Sequence, residues 1–291
     1  MTQLKINTFI IGVPKSGTTT LYKALENNKD VALPIIKEPN FFCYEEMIKE
    51  MKMGITDAKI VERITPSHIG ILKLELENKN YRNKKNIICD FSTSYCRYAD
   101  KVAPRIKAYN PNAKIILIIR DPVKRIQSHY RMDLRIGYTK QDLNTLLKAE
   151  INGTGNSSYI KESDYLEIIN TYKKFFDDIL IIPFEQCFIL DKYDLKDKLS
   201  EFLAISLDEV EILKENEAKD ARFARLNYYL AKTGLKKIIK QTLSRRYKDV
   251  LKSLYFKKSE SQKEIVFDKT VKCRLEELND NYRRLIDDGK K

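Results

Sequence analysis

The sequence predicts an α/β protein: an open, mostly parallel sheet with helices on both faces, followed by a helical C-terminal part. Three observations carry that reading. Short isoleucine-rich runs alternate with helical patterns from residue 7 to about residue 184. The runs are apolar throughout instead of alternating, as strands covered on both faces require. After about residue 193 nearly every pattern has helical spacing.

Taken in order, NTFIIG (7–12) is the first strand and stops at Gly12. A helix over 18–28 follows, then a short strand in VALP (31–34) and a helix over 43–53. NIICDF (86–91) is the next strand, AKIILII (113–119) the next and DILIIPF (178–184) the last. Helices are expected between them at 98–109, 122–136, 140–151 and 158–176. NGTGNSS (152–158) is the clearest loop and reads as a mobile rim. Beyond the last strand, helices are expected over Tyr193–Leu203, 222–232, 235–256 and 267–287. There is no internal repeat, so residues 1–291 read as one domain, with 7–205 its α/β core and 206–291 a helical extension.

Composition narrows the class. Hydrophobic residues make up 43% of the 291 residues, which suits a globular chain. The longest apolar runs, such as IILII at 115–119, fall far short of the roughly 20 residues a membrane-spanning helix needs. The opening MTQLKINTF carries no apolar leader, so a soluble, cytoplasmic protein is expected. Five scattered cysteines without a C-x-x-C pair argue against a disulfide framework or a zinc site, and two histidines against a histidine-rich metal centre. The net charge of +13 points to an anionic partner or simply to solubility. Much of it lies in 235–258, where nine Lys/Arg stand against one acid on a stripe of helical apolar spacing. That segment is either a helix with a solvated basic back or a surface for an acidic acceptor or for peripheral contact with an anionic membrane.

Ligands of open parallel sheets bind beyond the carboxyl ends of the strands. The two most informative stretches, 12–20 and 120–128, both begin there. In FIIGVPKSGTTTL (9–21), Gly12 and Gly17 stand at the G-x4-G spacing of a phosphate-holding loop, and Pro14 stiffens it. A nucleoside-triphosphate loop places its lysine directly after the second glycine; here Thr18 stands there and Lys15 lies inside the loop. Amides of 16–20 at a helix start, with the hydroxyls of Thr18, Thr19 and Thr20, form a donor set for an anion. Lys15 is placed to meet the oxygen between a transferring group and a leaving phosphate. In the second stretch, IILIIRDPVKRIQSHYRM (115–132), Arg120 ends a strand, Asp121 and Pro122 start a helix, and Ser128 follows eight residues after the arginine. An arginine and a hydroxyl at one point suit a phosphate that is recognised and not transferred.

Together the two loops resemble those of sulfotransferases that use 3′-phosphoadenylyl sulfate (PAPS). The pattern R-D-P-x-x-R-x-x-S-x-Y at 120–130 is similar to that of carbohydrate, especially heparan-type, and bacterial members. KEPNFF (37–42) resembles their segment with the catalytic glutamate, and DFSTSY (90–95) their following substrate strand. The likeness runs over about residues 7–205. It implies PAPS as co-substrate, adenosine 3′,5′-bisphosphate as product and no metal. It also implies that Lys15, Ser16, Gly17, Thr18, Thr19 and Thr20 hold the phosphosulfate and that Arg120 and Ser128 hold the 3′-phosphate. Glu38 is implied as the base that takes the proton of an acceptor hydroxyl on a glycan, a glycolipid or a small metabolite. His129 and Asp90 are the rivals for that role. Phe91 stands where the glycan enzymes usually carry a lysine, and their cysteine-flanked C-terminal loop is not evident; Arg222 and Arg225 are the substitutes expected near the nucleotide. Two other readings remain: a kinase or NTPase, in which Asp90 would help hold magnesium, and a basic adaptor for nucleic acid or membrane without activity.

Overall fold

Five strands form where the apolar runs stand: β1 (Thr8–Ile10), β2 (Val31–Ala32), β3 (Ile87–Phe91), β4 (Lys114–Ile119) and β5 (Ile179–Pro183). They make one parallel sheet in the order β2-β3-β1-β4-β5. The computed structural model describes residues 5–26, 28–34, 37–52, 86–190, 194–207, 219–221, 228–230, 232–233, 256–258 and 265–288. By compactness the chain falls into two units, one of residues 1–121, 161–214 and 278–291, the other of 122–160 and 215–277. The sheet belongs to the first.

The all-apolar strands are explained by cover on both sides. Ile115, Leu117 and Ile119 of β4 pack with Val102, Ala103 and Ile106 of α3 (Ala99–Tyr109), and with Ile168, Ile169 and Tyr172 of a helix over Tyr165–Lys173. Ile116 and Ile118 point the other way, into a cluster with Leu21 and Leu25 of α1 (Thr18–Glu26) and Leu199 and Leu203 of a helix over Leu195–Leu203. All five of these β4 side chains are fully buried, each worth about 1.5–3 kcal/mol of burial. α2 (Tyr44–Lys52), whose Met47 packs in the cluster on the α3 side, follows a short 3-10 turn at Phe41–Cys43. A five-residue helix, Phe184–Phe188, follows β5 directly, where the sequence pattern only continues a strand.

Two helices start later than their spacing predicts, each behind a capping aspartate. The helix expected over 140–151 begins at Leu143, because Asp142 caps it by accepting from the Thr145 amide at 2.9 Å. The one expected over 158–176 begins at Tyr165 behind the cap Asp164. In the second unit the C-terminal part is not wholly helical: Lys219–Ala221 pairs antiparallel with Phe256–Lys258. The long helix Lys269–Asp288 stands where 267–287 was expected. The loop 152–158 is tied down, with Glu150 accepting from Ser157 Oγ at 3.0 Å and from the Ile160 amide at 2.9 Å. The basic segment 235–258 lies outside the described residues except for its last three. No helix among the described residues is long and apolar enough to cross a membrane.

Candidate functional site

The loop after β1 is an extension of the sheet before it is a turn. The Ile11 amide donates to Ile116 O, Val13 to Ile118 O, and Ile118 back to Gly12 O. This holds the loop against β4 up to residue 13. Ser16 then closes the turn: its hydroxyl donates to Val13 O at 2.6 Å and accepts from the Val13 amide at 3.1 Å. The Ser16 hydroxyl and amide both serve this closure. Lys15 (φ 72°) and Gly17 (φ 92°) adopt the left-handed region, which lets the chain reverse into α1 at Thr18. A side chain at Gly17 would lie 2.8 Å from the Phe184 ring. The first turn of α1 leaves amides without intrahelical acceptors, and its dipole favours an anion there.

Arg120 joins this loop to the end of β4. Its Nη1 donates to Lys15 O at 2.8 Å, and its guanidinium lies 4.8 Å from the centroid of the Phe184 ring. Its Nε faces Glu185 Oε1 at 3.7 Å. The other Glu185 oxygen accepts from the Asp121 amide at 3.2 Å and from Tyr282 Oη at 2.7 Å. Burial and the Glu185 carboxylate push the Tyr282 phenol up, so it stays a donor. Tyr165 Oη completes the frame by donating to Arg120 O at 2.7 Å. The residues supporting Arg120 therefore come from the helix after β5, from the start of the helix Tyr165–Lys173 and from the end of the C-terminal helix.

Glu38 reaches the loop through its neighbour. Lys37 Nζ donates to Thr19 Oγ1 at 3.0 Å, to Thr18 Oγ1 at 3.4 Å and to Glu38 Oε1 at 3.2 Å. Lys37 is the residue that sequence reasoning missed; it stands in the quoted KEPNFF, and a second cation beside Lys15 was the available signal. Phe184 and Glu185 were missed as well. Asp90, at the end of β3, is fully buried and accepts from Ser92 Oγ at 2.5 Å and Tyr95 Oη at 2.7 Å. Both oxygens are thus engaged inside the protein, which suits neither a magnesium ligand nor a base facing substrate. Burial pushes its carboxyl up to about 6, against the pull of the two hydroxyls and helped by the Glu38 charge. Phe91 is buried edge-on to Tyr22, with centroids 5.3 Å apart, and belongs to the core beside the sheet.

Thr18, Thr19 and Thr20 all lie in the first turn of α1. Thus Lys15, Gly17, the threonines, Lys37, Glu38 and Arg120 are brought together in the first unit. Ser128 and His129 stand on the helix Pro122–Ile136 of the second unit. There His129 packs edge-on to Tyr159 at 5.1 Å, with Nδ1 3.2 Å from Nη1 of the fully buried Arg125. Arg222 and Arg225 lie outside the described residues. The first unit's cluster is rich in donors: the Lys37 ammonium, a guanidinium, threonine hydroxyls and helix-start amides. That donor set fits a phosphosulfate group.

A model of the sulfotransferase family matches residues 8–186. Carbohydrate sulfotransferase 15 of Mus musculus is 31% identical over 147 residues, which are 42% of this chain and 26% of the relative. The Homo sapiens protein of the same name is 31% identical over 146 residues, with the same two shares. The chain thus spans about a quarter of the length of these curated relatives. Among solved structures, a sulfotransferase from Alicyclobacillus acidocaldarius aligns with a TM-score of 0.57 at 22% identity, over 82% of this chain and 98% of that one. At that identity the likeness is one of fold.

Two outcomes follow from the geometry. Gly17→Ala is expected to cost about 1–3 kcal/mol in urea unfolding, because it combines a left-handed residue with a clash on the ring under Arg120. Asp90 has a folded value of about 6 against the ordinary 3.8, so its stabilising contribution is present below pH 4 and lost as pH rises through 6. A shift of that size is worth about 3 kcal/mol. Unfolding of wild type and Asp90→Asn from pH 4 to 7 should therefore show the variant gaining on the wild type by up to that amount. A constant difference between the two would rule the buried charge out.

Proposed function

The chain belongs to the sulfotransferase family, and from that premise we propose that it transfers a sulfuryl group from PAPS to a hydroxyl of a carbohydrate or glycolipid acceptor. The observation that carries this reading is the position of Lys37. One ammonium touches both the threonine hydroxyls of the first loop and the Glu38 carboxylate, so the anion-holding turn and a base are one contact apart. When bound, PAPS supplies an activated sulfuryl group with the nucleotide 5′-phosphate as its leaving group.

The chain's own residues divide the remaining work. The helix-start amides, Thr18 and Thr19 orient the anion, and Lys15 and Lys37 neutralise charge that builds on its oxygens. Glu38 takes the proton of the acceptor hydroxyl; a positioned base contributes about 10²–10⁴-fold. Its ion pair with Lys37 keeps the carboxylate in place until an acceptor hydroxyl competes for it. Arg120, seated on Phe184 and held by the Lys15 carbonyl, supplies the guanidinium for the nucleotide's 3′-phosphate. The carbohydrate named in the curated relatives supports a sugar hydroxyl as acceptor; a small alcohol is the next class.

Thermal unfolding with ligands at about 100 Kd tests the nucleotide half. Adenosine 3′,5′-bisphosphate should add about 2.7 kcal/mol of stability, while AMP and ATP with magnesium add far less. Equal shifts from AMP and the bisphosphate would contradict the role of Arg120. Glu38→Gln should keep bisphosphate affinity and lose about 10²–10⁴-fold in PAPS turnover. Near-normal turnover would hand the base role to another group.

A further inference from the structure

The fully buried Asp90 carboxylate is linked through both oxygens to one neighbouring segment. Oδ1 accepts from the Ser92 hydroxyl at 2.5 Å, and Ser92 Oγ accepts from the Asn40 amide at 2.9 Å. Oδ2 accepts from the Tyr95 hydroxyl at 2.7 Å, and Tyr95 Oη accepts from the Phe42 amide at 3.3 Å. The two arms grip alternate residues of 38–42. That segment is strained: Glu38 (φ 68°) and Asn40 (φ 52°) are both left-handed without being glycine. The Asn40 side-chain amide closes the turn by donating to Glu38 O at 3.0 Å. Such backbone states persist only where the surroundings over-determine them.

We propose that Asp90 is a positioning residue whose carboxylate, acting through Ser92 and Tyr95, clamps the backbone of 38–42 and so fixes Glu38 beside Lys37. The catalytic half of this proposal rests on Glu38 being the base. The chemistry of the acceptor explains why an aspartate stands there. A hydroxyl has one hydrogen to give. A carboxylate has none, so both hydroxyls must donate to it, which turns their lone pairs toward the Asn40 and Phe42 amides. An amide side chain at 90 would present a donor to one of the hydroxyls and undo that arm. Tyr95 is held protonated by its burial and by the Asp90 charge, so its donor direction is fixed at neutral pH. Keeping a fully buried carboxylate beside a site is costly for stability alone and is the pattern of groups retained for function.

The test uses Asp90→Asn, Ser92→Ala and Tyr95→Phe in the full chain. Amide hydrogen exchange should speed up by about tenfold or more across 38–42 in each variant. Adenosine 3′,5′-bisphosphate affinity, read by calorimetry, should stay within about twofold. Turnover of PAPS with a mixture of methyl glycosides should fall by about 10- to 100-fold in kcat, and the same change should cost nothing further in a Glu38→Gln background. If Asp90→Asn does not fold, the two hydroxyl variants carry the test, since each removes one arm and leaves the charge. Unchanged exchange at 38–42, or an equal loss of kcat with and without Glu38, would overturn the clamp. Should the wild type transfer no sulfuryl group at all, the proposed activity fails, while the exchange result still decides whether Asp90 holds the segment.

Discussion

The site depends on one constraint: β1 is hydrogen-bonded in parallel on both edges, to β3 and to β4. Parallel pairing sends every strand's carboxyl end to the same side, and the order β2-β3-β1-β4-β5 makes β1 the place where the chain reverses its direction across the sheet. Each strand then contributes at that side. The anion-holding turn follows β1, Lys37 and Glu38 follow β2, Ser92 follows β3, Arg120 follows β4, and Phe184 with Glu185 follow β5. The register makes this specific. Phe9 is level with Asp90 and with Ile115. A slip of one residue in β3 would put Cys89 or Phe91 in Asp90's place and turn the carboxylate to the opposite face.

Like charges near one another repel, and two of the site's cations each have an acid beside them. Glu38 pairs with Lys37. Glu185 faces Arg120 and is itself braced by the Asp121 amide and Tyr282. The brace reaches far along the chain: Tyr282, near the C-terminal end, packs its ring against Tyr165 at 6.1 Å, and Tyr165 bonds the Arg120 carbonyl. The C-terminal helix therefore does more than cover apolar surface. It carries one of the hydroxyls that keep the Arg120 support in register.

Much of this was legible in the sequence, and the limits have physical causes. The five strands were readable because a run such as IILII has no polar face to disguise it. The two loops were readable because glycine, proline and a helix cap stand at spacings that local backbone geometry requires. Lys15 and Arg120 were readable as single residues, but their contact was not, because the carbonyl of Lys15 carries no side-chain identity for a pattern to display. Lys37 was hidden for another reason. A lysine next to a glutamate reads as an ordinary solvated pair, and only the fold brings its ammonium back to Thr19. The antiparallel pair of Lys219–Ala221 with Phe256–Lys258 was hidden too, since three-residue strands have too few alternations to stand out from helical spacing.

Asp90 shows how an ambiguous signal is resolved by its neighbours. An apolar strand ending in an aspartate is what a nucleotide hydrolase uses to hold magnesium through an outward-facing carboxylate. The same residues serve an internal brace when hydroxyls follow on the same side. In DFSTSY, Ser92 is two residues on and Tyr95 five, and both turn back to the carboxylate. Once two hydroxyl donors occupy it in a fully buried place, the carboxylate has no open face to offer an ion. Its charge is spent on orienting two protons, and those protons decide which way the amides of the Glu38 segment can point. A strand-end acid followed by hydroxyls at these offsets thus reads first as an internal acceptor. Whether it touches ligand or holds what does is settled by where its two oxygens go.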